Sequence, residues 1–197
     1  MNIIVAVTGA SGSIYARLLF EELQRFRLLG QVNQVSAVFS KKAKEVWKHE
    51  IGEFSKDFPH TLYDNDDFNA PFASGSCLYN TMIICPCSMG TMGRIAHGLA
   101  DTLIARAADV MLKERRQLIL AIRETPIHLI HINNMKILAQ AGAIIAPASP
   151  SFYSHPQTIN ELAMTVVDRL LQLAGLKKDS FRWGDKKIIR AISEISG

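Results

Sequence analysis

The chain is short of cysteine, of long apolar runs and of one-signed charge, and each shortage removes a class of function. Three cysteines occur among 197 residues, two of them in Cys85-Pro86-Cys87. That odd count has neither zinc or redox spacing nor the density of a disulfide scaffold, so reduced thiols and a cytoplasmic setting are expected. No apolar stretch approaches the roughly 20 residues of a membrane span. The first one, Ile3-Ile4-Val5-Ala6, is too short for a secretory leader and runs into a glycine turn. The net charge of +4 comes from scattered cations, without the basic stripe and interleaved aromatics of a nucleic-acid binder. Small anionic molecules explain those cations more simply. Internal repeats and low-complexity segments are also missing, and a hydrophobic content of 48% suffices for one globular core.

What is present begins at the first turn, Val7-Thr8-Gly9-Ala10-Ser11-Gly12-Ser13, between an apolar run and Ile14-Tyr15-Ala16-Arg17-Leu18-Leu19-Phe20 at helical spacing. Strand, tight loop and helix follow from that pattern. Such a turn aims backbone N–H groups and the positive end of a helix at one point, which suits a phosphate. It is equally the form of an ordinary strand-to-helix connection. A nicotinamide dinucleotide fits poorly. Tyr15 stands where the fingerprint wants its third glycine, and the next strand, Gln34–Phe39, runs into Ser40-Lys41-Lys42 with no acid for a ribose. Tyr153 is followed four residues on by Gln157, not by the lysine of a short-chain dehydrogenase.

The remainder alternates strand and helix. Thr81–Cys85 reads as a buried strand broken by Pro86, with further strands at Gln117–Ile122 and Ala143–Ala146. Thr125 reads as an N-cap with Pro126 at the first helical position of a helix from Ile127 to Ala141, which Gly142 stops. Thr158-Ile159-Asn160-Glu161 is a capping box for a helix to about Ala174. Residues 52–72 read as an irregular excursion. The pattern predicts a single-domain, Rossmann-like (flavodoxin-like) doubly wound α/β fold, with a mainly parallel sheet and helices on both faces. The domain spans 1–175, and 176–197 form a C-terminal extension. Ligands of such sheets bind beyond the carboxyl ends of the strands. The loops there hold Gly9, Ala10 and Ser11; Ser40; Ser88, Met89, Gly90 and Thr91; Arg123 and Glu124; and Pro147–Tyr153. Each hydroxyl taken alone is as well explained by helix capping. Their shared location favours a phosphorylated cofactor held without a metal.

Several segments, in order, carry a resemblance: Thr8-Gly9-Ala10-Ser11-Gly12, Ala73-Ser74-Gly75-Ser76, Cys85-Pro86-Cys87-Ser88-Met89, Arg106-Ala107-Ala108-Asp109-Val110, Leu112-Lys113-Glu114-Arg115-Arg116, Arg123-Glu124-Thr125-Pro126, Phe152-Tyr153 and Arg182-Trp183. Together they resemble the UbiX/Pad1 family of flavin prenyltransferases from Ile3 to Trp183. Ser13, where the family often has Ala, and Ile122, where it commonly has Pro, are mild departures. The resemblance implies transfer of a dimethylallyl group from dimethylallyl phosphate to N5 and C6 of reduced FMN. The product would serve a partner decarboxylase, as in ubiquinone biosynthesis. It also implies a homo-oligomer, a dodecamer, with sites completed across subunit contacts.

By the same resemblance, Gly9, Ala10, Ser11, Ser40, Ser88, Met89, Gly90, Thr91 and Arg123 hold FMN. Arg106, Lys113, Tyr153 and Arg169 hold the dimethylallyl phosphate. Glu50 and Glu124 handle protons with Ser11 as relay, Trp183 supplies an aromatic wall, and no metal is involved. Allyl transfer needs those residue types, because cations stabilise the leaving phosphate and π faces shield the allyl cation. Without the resemblance, Arg106 and Lys113 read as a solvated helix face, Glu50 as a surface residue, and His128 with His131 as packing or rim groups. Two alternatives share the fold. One is an FMN-dependent decarboxylase of a cysteine-type substrate, whose relatives carry an Asn in the central loop and a histidine base. That loop here reads Ser88-Met89-Gly90-Thr91, and residues 9–30 contain no histidine. The other is a non-catalytic flavin carrier.

Overall fold

Every second residue of the first strand belongs to a different core. In the computed structural model, which describes residues 1–55 and 57–177, Ile3, Val5 and Val7 of β1 (Asn2–Val7) pack on one face of the sheet, and Ile4 and Ala6 on the other. Strands β2 (Gln34–Phe39), β3 (Thr61–Tyr63), β4 (Thr81–Cys87), β5 (Gln117–Ile122) and β6 (Ile144–Pro147) complete a six-stranded sheet of order β3-β2-β1-β4-β5-β6. Every pairing is parallel. Leaving out the short edge strand β3, the other five lie in the 2-1-3-4-5 order of the flavodoxin arrangement.

Helices α1 (Ser13–Leu28), α2 (Lys41–Glu50) and α6 (Ile159–Leu173) cover the first face, and α3 (Met89–Ala96), α4 (Leu103–Lys113) and α5 (Leu129–Gln140) the second. Parallel strands buried on both sides read as continuous apolar runs, as β1 and β5 do. Each fully buried Ile or Leu contributes about 1.5–3 kcal/mol of transfer free energy. Leu19 and Leu23 of α1 and Leu118 and Leu120 of β5 are all 0% exposed. Among the described residues no helix is long and apolar enough to cross a membrane.

Three expectations about elements need correction. Strand β4 does not break at Pro86. The Cys85–Pro86 bond is cis, and the strand continues to Cys87 through a register shift, which sends Cys85 into one core and Cys87 into the other. Thr125 is not an N-cap, because helix α5 starts four residues later, with His128 at its cap position. The 52–72 excursion is only partly irregular. It supplies β3 and, before it, Phe54 and Phe58, whose rings lie 5.1 Å and 6.3 Å from that of Phe39. The cap at Thr158 forms as read from the sequence, its hydroxyl accepting from Glu161 N–H, and Ser40 and Ser88, assigned from the sequence to the cofactor with capping as the alternative, also cap helices by accepting from Ala43 N–H and Thr91 N–H.

Candidate functional site

Beyond the carboxyl ends of the strands, hydrogen bonds continue from loop to loop. Ser40 N–H donates to Val7 O at 3.0 Å, Thr8 N–H to Pro86 O at 3.2 Å, Arg123 N–H to Cys87 O at 3.3 Å and Ala148 N–H to Ile122 O at 2.8 Å. The loops after β1, β2, β4, β5 and β6 are therefore held side by side. Thr8 fastens the central pair: its hydroxyl donates to Pro86 O at 2.8 Å and accepts from Ser88 N–H at 2.7 Å. This residue, 1% exposed, belongs to no site named from the sequence. Its position, one before Gly9, was visible, but its partners lie 78 and 80 residues away.

The first turn is tighter than a generic connection requires. A Cβ at Gly9 would lie 2.6 Å from Lys42 Cβ, so glycine there lets the turn approach α2. Gly12 has φ 113°, in the left-handed region where glycine is favoured, and offers no side chain to cap α1. The cap comes from Glu50, at the far end of α2. Its carboxylate accepts from Gly12 N–H at 3.0 Å and from Ser13 N–H at 2.7 Å. Burial raises the Glu50 pKa, but hydrogen bonds from the Ser11 hydroxyl and the Ser13 and Gly12 amides outweigh it and hold the carboxyl below its ordinary value. Tyr15, one turn further along α1, has its phenol pKa raised by burial and by the nearby Cys85 and Glu50, against the pull of Arg123. It is a second polar group at this edge that sequence reasoning left unassigned.

Two clefts meet at Ser149. One, of about 290 Å³, is lined by Met89, Arg123, Glu124, Met135 and Ala148 among others. The Arg123 and Glu124 side chains are exposed there, and one Glu124 oxygen accepts from Thr125 N–H at 3.1 Å. Above Gly90 a Cβ would meet nothing within 4 Å, so the amino end of α3 is open. The other cleft, of about 440 Å³, is lined by Ser149, Ser151, Ser154, Thr165, Asp168 and Arg169 among others. Arg169 donates to the Gln172 side-chain oxygen at 3.3 Å, and among the described residues no carboxylate forms an ion pair with it. Tyr153 lies on the loop bearing the lining serines and is 63% exposed. Hydroxyls, amide donors and two guanidinium groups suit phosphate oxygens and a polar ring edge, so the residues fit a flavin mononucleotide and a second phosphorylated ligand. Among the described residues no cluster of His, Cys, Asp or Glu side chains could hold a metal ion.

Two candidates do not join this assembly. Arg106 donates from Nε to Ala73 O at 2.9 Å and pairs with Asp109 at 3.1 Å. Lys113 pairs with Glu114 at 3.3 Å, just before β5 begins, and its Nζ lies close to Gly75 on the segment leading into β4. Lys113 sits toward the amino side of the sheet, at the end of α4 that leads into β5, whereas Arg106 lies in the first turns of α4, whose Leu103 N–H donates to Asn65 O just after β3. Trp183 lies outside the described residues.

The profile of the flavoprotein family matches residues 1–172. A flavin prenyltransferase UbiX of Thermoplasma acidophilum is 42% identical over 187 residues, covering 93% of this chain and 100% of the relative. The crystal structure of AnUbiX (PadA1), in complex with FMN and dimethylallyl pyrophosphate, superposes with a TM-score of 0.87 at 38% identity, over 93% of this chain and 97% of that one. A dodecameric FMN-dependent UbiX-like decarboxylase from Escherichia coli O157:H7 gives 0.86 at 37% identity, over 92% and 99% of the two chains.

Proposed function

The chain belongs to the flavoprotein family, among its flavin prenyltransferases, and from that membership we propose that it moves a dimethylallyl group from dimethylallyl phosphate onto reduced FMN. The observation that carries this reading is the pair of clefts joined at Ser149, each with its own guanidinium, Arg123 in one and Arg169 in the other. One cation serves the flavin and one the prenyl donor, with no metal required.

FMN in its reduced form supplies the electron-rich ring that the allyl group joins. Gly9, Ala10, Ser11, Ser40, Ser88, Met89, Gly90, Thr91 and Arg123 bind and orient it from adjacent loops. Arg169 and Tyr153 grip the donor's phosphate, and the planar fork of Arg169 can hold two oxygens at once. As the carbon–oxygen bond of the donor breaks, those contacts stabilise the departing phosphate. Glu124 stands beside Arg123 at the cleft mouth and handles a proton. Glu50, whose lowered pKa keeps it ionised, accepts one through Ser11.

The site is completed by further copies of the chain. Arg106 and Lys113 line neither of the two clefts of their own subunit, and a neighbouring subunit's cleft can use them. Helix α5 exposes Leu129, Ile130, Ile132 and Ile137 between 44% and 68%, an apolar face suited to burial in a homo-oligomer such as the dodecamer the resemblance implies. The prenylated flavin then passes to a partner decarboxylase, as in ubiquinone biosynthesis. Protein incubated with reduced FMN and dimethylallyl phosphate should release a flavin heavier by one dimethylallyl group, read by mass spectrometry. Unmodified FMN would leave a carrier, and carbon dioxide from a cysteine-type substrate would reveal a decarboxylase.

A further inference from the structure

A doubly wound sheet of order β3-β2-β1-β4-β5-β6, with a glycine turn after β1, ordinarily offers the amino end of α1 to a pyrophosphate. In this chain a carboxylate is already there. Glu50 reaches back from the end of α2 and takes the N–H groups of Gly12 and Ser13 at 3.0 Å and 2.7 Å, the donors a dinucleotide's phosphates would use. Gly12 cannot cap the helix itself, so the interaction also completes α1. We propose that Glu50 sets the nucleotide class of the site, filling the anion seat of α1 at Gly12 and Ser13 and thereby barring nicotinamide dinucleotides, while Gly9–Ser11 and the loops after β2, β4 and β5 remain open to a mononucleotide. The mononucleotide half of this statement rests on the FMN reading above; the exclusion half rests on the Glu50 geometry alone.

The exclusion has two parts. A phosphate arriving at α1 would find its hydrogen-bond donors taken, and it would meet a negative charge at contact distance. The rest of the dinucleotide seat is partly in place. β2 ends at Ser40 with exposed Lys41 and Lys42 and no acid for a ribose diol. Those cations suit a 2′-phosphate. Removing the Glu50 carboxylate should therefore favour NADPH over NADH.

The test titrates the full-length protein and its Glu50→Ala and Glu50→Gln variants with NADPH, NADH and FMN, following nicotinamide or flavin fluorescence. Regaining one charged hydrogen bond corresponds to at least about a tenfold change in affinity. Glu50→Ala should bind NADPH at least about tenfold more tightly than the parent, with a smaller gain for NADH. Glu50→Gln keeps an amide oxygen on the two N–H groups but loses the charge, so it should show a smaller gain and decides the matter if Glu50→Ala does not fold. Unchanged NADPH affinity in the folded variants, or parent protein that binds NADPH as tightly as they do, overturns the proposal. Failure of the parent to take FMN would instead sink the flavin reading, with the NADPH comparison still deciding the role of Glu50.

Discussion

Replacing Arg169 by alanine separates donor binding from flavin binding more cleanly than any other single change. Its guanidinium is exposed on α6 and lines the larger cleft, where the Gln172 side-chain oxygen holds it at 3.3 Å and no carboxylate among the described residues forms an ion pair with it. The fork is therefore available for a phosphate, and no buried carboxylate is orphaned when it is removed. A hydrogen bond to a charged group contributes about 1.5–3 kcal/mol, and solvent at this exposed position keeps even a two-pronged contact near that range. Because about 1.4 kcal/mol is a factor of ten, Arg169→Ala should weaken dimethylallyl phosphate binding by roughly 10- to 100-fold. Arg169→Lys keeps the charge but not the planar fork and should fall between. FMN affinity should hardly move, since the proposed flavin contacts lie on other loops. The assay is single-turnover transfer across a range of donor concentrations, with flavin fluorescence quenching measured in parallel. A variant that released FMN while its donor saturation curve stayed unchanged would refute the division of labour between the two clefts.

Glu124→Gln should retain FMN yet slow transfer by about 10²–10⁴-fold, the usual share of a general acid or base; an unchanged single-turnover rate would mean that its carboxylate merely holds the Thr125 N–H. Thr8→Val should leave Ser88 N–H without its acceptor and lower unfolding free energy by about 1–3 kcal/mol, read from the urea midpoint, and a midpoint equal to the parent's would show that the loop clamp is dispensable. Burial pushes the Cys87 thiol up to about 12 and that of Cys85 higher still, so alkylation of the native protein near pH 8 should mark half-buried Cys77 first. Peptide mapping that found Cys85 or Cys87 labelled at a comparable rate would contradict the burial of both.

Much of this was legible before any coordinates because it is local. Alternating apolar runs and helical periods gave most of the strand and helix order, and the Thr158 cap was recognisable, with capping an open alternative for Ser40 and Ser88, because a cap bonds residues only three positions away. The misreadings were also local. A proline usually ends a strand or opens a helix, yet β4 runs through Pro86 to Cys87 and α5 begins only at Leu129, three residues after Pro126. Strand β3 escaped notice because three residues carry no period, and its pairing with β2 across the excursion is what makes it a strand.

The sequence by itself determined the element order apart from β3, the loops that carry polar groups and the family, since each depends on residue type at short or ordered spacing. The tertiary structure alone decided which of those groups meet. Glu50 reaches Gly12 across 38 positions and Thr8 reaches Ser88 across 80, because the sheet sets β4 beside β1 and the return of α2 brings its end to the start of α1. The same topology carries Lys113, at the end of α4 just before β5, away from the carboxyl edge, since the chain must return to the amino end of the next parallel strand. Local preference names the candidates, and chain direction through the sheet chooses among them.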